Sequence, residues 1–194
     1  MMTALPFLKS RWQDFARDET GTIAAESVVI LPILAWAYIS TFVWFDAFKA
    51  ETQYTRAAYS VADALSREMT PITPQYLNSM HRMLNFMSDS PDPVKMRVTV
   101  VCWSDKRQMY RRAWSQVRGG GIASHSHWTL HRMRDHLPVL PVGDQVIMVE
   151  TFTRWEPAFN MGLKPKDITN VIVTRARFAP QVLWDPNHRY TCKG

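Results

Sequence analysis

Four histidines fall within a window of 12 residues and are the clearest candidates for chemistry: His125, His127, His131 and His136. His127 and His131 are four residues apart, so a helix would carry both on one face, at a spacing that suits zinc. However, tryptophan follows His127, where zinc proteases of the HExxH type have glutamate. The apolar residues between the histidines equally indicate a short helix with exposed histidines. We favour this second interpretation and expect no metal ion and no other cofactor.

Other sequence signatures of catalysis are missing. The three glycines at 119–121 are not followed by the Lys-Ser/Thr pair of a phosphate-binding loop, so we interpret them as a mobile connector. No GxSxG motif occurs, and neither cysteine has the sequence surroundings of a nucleophile. We therefore expect the protein not to be an enzyme.

The two cysteines are a candidate disulfide pair. Cys102 lies in an apolar run typical of a strand, and Cys192 lies two residues from the end of the sequence. In an oxidising compartment, a bond between them would tie the tail to the sheet. Two unpaired thiols are the alternative.

The longest apolar stretch runs from position 22 to 45 and contains a single ionisable residue, Glu26. A helix needs about 20 mostly apolar residues to cross the hydrocarbon core of a bilayer, and this stretch is long enough. The alternative is a buried core helix of a soluble protein, but such helices seldom run past about 18 residues without a polar face. We therefore predict a transmembrane helix.

Two residues inside this stretch need a separate explanation. A lone carboxylate in lipid costs roughly 2.5–3.5 kcal/mol, so Glu26 should have a partner there or lie at the cytoplasmic interface. Pro32 has no backbone N–H, which leaves the carbonyl of Val28 free and should kink or loosen the helix. If a protease cut after Gly21, Thr22 would become the new N-terminus, and its amine could neutralise the glutamate of a neighbouring subunit.

The segment Gly21-Thr22-Ile23-Ala24-Ala25-Glu26, followed by an apolar run with Pro32, resembles the processing site of type IV prepilins. It is most similar to the TadE/TadG-like minor pseudopilins of the tight-adherence (Flp, type IVb) pilus and secretion machinery. The resemblance covers about 30 residues. Thr22 and Ser27 are less apolar than the family's usual residues there. No motif of the remaining chain matches the family.

The resemblance implies a function, partners and a location. It implies cleavage after Gly21 by a prepilin peptidase, and a role in the assembly or priming of a tight-adherence pilus. The implied partners are pilins, pseudopilins and other pilus assembly components in the bacterial inner membrane. Glu26 and Pro32 would serve assembly, and the C-terminal domain would be periplasmic. The alternative is an uncleaved single-pass anchor that holds a periplasmic binding domain.

The sequence divides into three predicted parts: a cytoplasmic leader at 1–21, the transmembrane helix at 22–48 and an extracytoplasmic α+β domain at 49–194. From Lys49 onward there are 20 Lys and Arg against 12 Asp and Glu, a net charge of +8. This balance suits an anionic membrane surface or a polyanionic partner. Because no RNA- or DNA-binding motif accompanies it, we expect no nucleic-acid partner.

The later sequence predicts a pilin-like α+β fold. Apolar residues at helical spacing extend the first helix to about Met69, although two helices with a hinge near Asp46 are an alternative. Thr73 should cap a second helix with Pro74 at its first position, and a turn should follow at 88–93. Alternating residues then predict a four-stranded, mainly antiparallel sheet packed on the helical half, with strands at 94–103, 109–117, 145–155 and 167–178.

Overall fold

The computed structural model describes residues 21–185, so residues 1–20 of the predicted leader and the last nine residues lie outside it. It contains three α-helices and four strands among the described residues. The helices are α1 (Thr22–Ser66), α2 (Pro74–Ser88) and α3 (His127–Arg132), and the strands are β1 (Lys95–Ser104), β2 (Met109–Arg118), β3 (Gln145–Trp155) and β4 (Lys166–Arg175). Two compact units divide between Phe45 and Asp46, and each is described separately.

Helix α1 is assigned as one element from Thr22 to Ser66, as the absence of Gly and Pro between Pro32 and Pro71 predicts. It ends at Ser66, three residues before the predicted end. The Ser66 hydroxyl donates to the Asp63 carbonyl at 2.7 Å, and the Arg67 N–H donates to the Ala64 carbonyl at 3.2 Å. These contacts close a tighter final turn, after which Pro71 excludes further helix.

The unit from Asp46 onward has its main core between the helices and one face of the sheet. The small side chains Ala57, Ala58 and Val61 of α1 are at most 1 % exposed, so this face of the helix is fully covered. Large apolar residues of α2 and the sheet complete this core: Leu77, Leu84, Met96, Val98, Val100, Ile147 and Val149. The predicted packing of the sheet on the helix is confirmed.

Helix α2 begins as the sequence predicts. Thr73 has extended backbone angles, its hydroxyl accepts a hydrogen bond from the Tyr76 N–H at 3.2 Å, and Pro74 is the first helical residue. The helix ends at Ser88, where Asp89 adopts a left-handed conformation with φ of 49°. The predicted turn therefore starts with a residue type that tolerates this conformation.

The four strands form one antiparallel sheet in the order β2-β1-β3-β4, which confirms the predicted α+β class. Two hairpins, β1–β2 and β3–β4, meet through the central pair β1–β3. The register of β1 with β2 shifts between Val100 and Val101, where Ala113 is the extra residue of a bulge in β2. Val100 and Val101 point to opposite faces as successive strand residues do, and both are buried because both faces of the sheet are covered. The last strand ends at Arg175, before the predicted end at Phe178.

The second face of the sheet is covered by the connection between β2 and β3, at residues 119–144. Its core contains one apolar residue of α3 and others from the connection and the strands: Val101, Tyr110, Leu130, Leu137, Leu140, Val146 and Met148. Gly119 has φ of 94°, and a Cβ there would lie 3.0 Å from the Cα of Lys95. This glycine is therefore required by the close approach of β1, a requirement that the interpretation as a mobile connector did not include.

Candidate functional site

The first unit presents an apolar helical surface. Ile23, Val28, Tyr38 and Phe45 are between 71 and 76 % exposed, and only 6 % of the most apolar 18-residue window is buried. A core helix of a soluble protein would be mostly buried. Among the described residues, α1 is the one helix long and apolar enough to cross a membrane, judged by length and composition.

Two hydroxyl groups in this segment are satisfied within the helix itself. Ser27 donates to the Ile23 carbonyl at 2.7 Å, and Thr41 donates to the Ala37 carbonyl at 2.8 Å. Such bonds let Ser and Thr enter a hydrocarbon environment without an unpaired donor. Glu26 is exposed and has no comparable internal bond among the described residues.

The predicted processing and assembly residues all lie at the beginning of this segment. Gly21 directly precedes the first residue of α1, Thr22, and Pro32 is inside the helix. A Cβ added to Gly21 would meet no atom of residues 21–185 within 4 Å, and the φ angle of Gly21 is not positive. Within this part of the chain, neither packing nor backbone conformation requires glycine at this position.

A polar cluster lies on the second face of the sheet; its members are the buried residues Ser115, His125 and Glu150, the partly buried Arg97 and the exposed Thr129. Glu150 is 2 % exposed, and its carboxylate accepts two hydrogen bonds from the Arg97 guanidinium, at 2.6 and 2.7 Å. The His125 Nε2 atom lies 2.7 Å from the same carboxylate. We call this group the Glu150 cluster.

The Glu150 cluster attaches the β2–β3 connection to the sheet. Arg97 also donates to the Ala123 carbonyl at 2.9 Å, and the backbone N–H of His125 donates to the Ser115 hydroxyl at 3.1 Å. The Arg97 guanidinium lies 5.2 Å from the ring centre of Phe152. The Arg97 guanidinium thus donates hydrogen bonds to a buried carboxylate and a loop carbonyl, and it also contacts an aromatic ring.

Three members of this cluster stand in the order of a nucleophile, a base and an acid. The Thr129 hydroxyl lies 3.0 Å from His125 Nδ1, whose Nε2 faces Glu150. However, the same hydroxyl accepts from the Ser126 N–H at 2.8 Å and donates to the Ser126 carbonyl at 2.9 Å, as part of the cap of α3. Glu150 also accepts hydrogen bonds from Arg97, and the Thr129 hydroxyl is occupied by the helix cap. The hydrogen bonds of these three residues therefore stabilise the fold.

The pKa of Glu150 combines opposing effects. Burial raises the pKa of the carboxyl group, but hydrogen bonds from His125 and Arg97, together with their positive charges, bring it below the ordinary value of 4.5. A depressed folded-state pKa means that Glu150 stabilises the fold above pH 4.5, and that this contribution is lost as the pH falls through the lower folded-state pKa.

We therefore expect acid to destabilise the wild type more steeply than a Glu150→Gln variant. Urea titrations of the full chain in detergent, followed by tryptophan fluorescence from pH 7 down to about pH 3, measure this difference. Parallel pH profiles for the two proteins would contradict the assigned pKa direction.

The predicted histidine group does not assemble into one site. The expected short helix is present as α3. His125 precedes this helix and is buried beside Glu150, so the expectation of exposed histidines is wrong for this residue. His127 Nδ1 accepts a hydrogen bond from the Arg112 N–H at 3.1 Å. Burial lowers the pKa of His127, and the nearby arginines lower it further. Among residues 21–185, no group of three or more His, Cys, Asp or Glu side chains could hold a metal ion.

Of the predicted disulfide pair, only one member can be located. Cys102 is on β1 and is 3 % exposed, whereas Cys192 lies outside the described residues. The pairing therefore stays a prediction. The burial of Cys102 means that any bond it makes is protected from solvent.

The sequence reading missed the Glu150 cluster. Glu150 alternates in phase with Val146 and Met148 along β3, and a carboxylate on such an apolar face is a signal of a buried partner. Arg97 on β1 is the cation that meets it. The register of β1 with β3, in which Arg97 lies opposite Glu150, was needed to join them.

Together, these features define an α+β protein with a candidate membrane-spanning helix near its N-terminus. No family model, no curated protein and no solved structure matches this chain. The function must therefore be inferred from the residues themselves.

Proposed function

We propose that this chain is a pseudopilin-like membrane protein that helps to assemble or prime a tight-adherence (Flp, type IVb) pilus, after cleavage behind Gly21. One observation carries the proposal. A glycine that neither packing nor backbone conformation requires stands directly before an exposed apolar helix, whose fifth residue is a lone glutamate. A recognition signal for a peptidase accounts for a glycine that the fold itself does not need.

The proposed mechanism uses the two groups that cleavage would bring into the same membrane layer. The new amine of Thr22 is positive, and the Glu26 carboxylate four residues later is negative. In lipid, the amine and the carboxylate are each energetically costly when they have no partner of opposite charge. Pairing the amine of one subunit with the glutamate of its neighbour would offset both costs and fix the relative height of the two helices.

The direct test is the mass of the mature protein. The full chain is expressed with and without an active prepilin peptidase, and the N-terminal peptide is identified by mass spectrometry. We expect residues 1–21 to be lost only when the peptidase is active, so that the chain begins at Thr22. A Gly21→Leu variant should remain full length, because the bulky side chain occupies the cleavage position.

An Ala24→Leu variant is the matched control, since it adds the same kind of bulk within the same segment but leaves Gly21 in place. It should be cleaved like the wild type. A full-length wild type beside an active peptidase would contradict the proposal. That outcome would favour an uncleaved single-pass anchor for the C-terminal unit.

A further inference from the structure

A cavity runs along β2, which is one of the two outer strands of the sheet. Its volume is about 320 Å³, within the roughly 300–1,000 Å³ of common ligand sites. The consecutive residues 111–116 of β2 line it, together with His127 and Trp184. Because successive strand residues point to opposite faces, a cavity lined by all of them follows the edge of the strand and not one face of the sheet.

The outward backbone groups of this edge are covered at two positions and open between them. His127 Nδ1 accepts a hydrogen bond from the Arg112 N–H at 3.1 Å, and the Arg118 guanidinium donates to the Val117 carbonyl at 2.7 Å. In an antiparallel ladder, alternate residues turn both backbone groups to the same side, so Ser115 also points outward. Within residues 21–185, neither backbone group of Ser115 is hydrogen-bonded to a segment outside the sheet. The middle of the edge can therefore accept another strand.

One end of the cavity is positively charged. Arg111 and Arg112 line it, no carboxylate does, and neither arginine makes an ion pair with a residue that the structure describes. Burial lowers the pKa of His127, and the positive charges of Arg111, Arg112 and Arg107 lower it further. This potential, which no described acidic residue of the cavity neutralises, favours a negatively charged ligand.

Further along β2, the cavity wall is aromatic. The ring centres of Trp114 and Trp184 are 5.3 Å apart, and the indole N–H of Trp114 donates to the Val182 carbonyl at 2.8 Å. Trp114 is buried, whereas Trp184 is partly exposed, so a ligand can contact its ring. The lining thus changes from basic to apolar along the direction of the strand.

We propose that the edge of β2 binds an extended acidic peptide segment of a partner protein, which adds to the sheet as a further strand. Two adjacent acidic side chains of this segment meet Arg111 and Arg112, one on each face of the sheet, and the following apolar residues lie beside Trp184. The backbone of the segment exchanges hydrogen bonds with Ser115. Other polyanions would also meet the arginines, but they have no row of alternating N–H and C=O groups for the strand edge.

Charge argues against two other occupants of this edge. A second copy of the chain that paired through the same edge would bring the same two arginines into contact with the first pair. The last nine residues of the chain contain Arg189 and Lys193 but no acidic residue. All the residues that the proposal uses belong to the unit from Asp46 onward, so it does not depend on membrane insertion or on cleavage after Gly21.

The test uses the full chain in detergent and a fluorescent peptide with two glutamates followed by alternating valine and threonine. Fluorescence anisotropy should show saturable binding, weakened about tenfold by Arg111→Gln, because a charge-assisted contact is lost. Arg154→Gln is the matched control, since it removes the same charge from an exposed position of β3 outside the cavity. It should bind the peptide like the wild type.

Two methylated peptides separate strand addition from simple attraction between charges. Each keeps both glutamates and carries N-methyl groups on one of the two alternating sets of amides. A strand turns only one set towards its neighbour, so one peptide should bind at least about tenfold more weakly and the other should bind like the parent. Hydrogen exchange of the protein, followed by mass spectrometry, should slow in β2 and not in β4 when the parent peptide binds.

Equal binding of the two methylated peptides, or equal effects of Arg111→Gln and Arg154→Gln, would overturn the proposal. Light scattering without peptide and a chain that ends at Asp185 test the other occupants. A dimer that Arg111→Gln dissociates would assign the edge to a second copy, and peptide binding that requires the removal of residues 186–194 would assign it to the chain's own tail. Either result would also overturn the proposal.

Discussion

Replacing Glu150 with glutamine is expected to lower the free energy of unfolding of the C-terminal unit by about 3–5 kcal/mol. The substitution keeps the size of the side chain but leaves the guanidinium of Arg97, whose side chain is 15 % exposed, without its counterion, and a largely desolvated charge without a partner is costly. Since domains are stable by only about 5–15 kcal/mol, this is a large fraction of the total. Urea unfolding of the full chain in detergent, followed by tryptophan fluorescence, measures the change.

The matched control is Asp144→Asn. Asp144 pairs with Arg175 at 3.7 Å, and both side chains are about half exposed, so the expected loss is below about 1 kcal/mol. A double variant, Arg97→Met with Glu150→Gln, should be less destabilised than the sum of its single changes, because it removes the orphaned charge as well. Similar losses for Glu150→Gln and Asp144→Asn would show that the buried pair does not hold the β2–β3 connection.

Replacing Glu26 with alanine is expected to leave membrane insertion intact and to reduce pilus output by roughly tenfold or more. Insertion should not suffer, since the change removes a lone carboxylate that costs roughly 2.5–3.5 kcal/mol in lipid. Assembly should suffer, because a charge-assisted contact of roughly 1.5–3 kcal/mol between subunits is lost. Membrane fractionation and the amount of sheared surface pili are measured in the same strains.

Glu26→Asp is the informative companion, because it keeps the charge and shortens the side chain by one carbon. It should retain more assembly than Glu26→Ala. Glu51→Ala, further along the same helix, should have no effect on pilus output. Normal piliation of the Glu26→Ala strain would remove the proposed role of the pairing, even if cleavage after Gly21 occurs.

The parts of the fold that were predicted correctly depend on local signals. Thr73 and Pro74 mark a helix start through hydrogen-bonding capacity and a fixed φ angle, both properties of neighbouring residues. The strands β1 and β3 could be predicted from the residues of each segment alone, although both faces of these strands are buried and not only one. The long apolar run of α1 needed no partner to be recognised.

The parts that were missed depend on contacts between distant residues. Glu150 meets Arg97 and His125 only after the order β2-β1-β3-β4 brings three separate segments together. That strand order cannot be predicted from composition or from the periodicity of the sequence. Position 119 is a similar case. It requires glycine because the backbone of Lys95 lies close to it, and not because of its neighbours in sequence.

The arrangement of the sheet as two hairpins has a consequence for the order in which the protein folds. Val98 lies opposite Gln116 within the first hairpin but opposite Val149 across the centre, much further along the chain. Because long loops close more slowly than short ones, each hairpin can form by itself before the two are joined. Nascent chains would therefore pass through a state with two separate ribbons, whose unjoined β1 and β3 edges are the positions at which intermolecular pairing competes with correct folding.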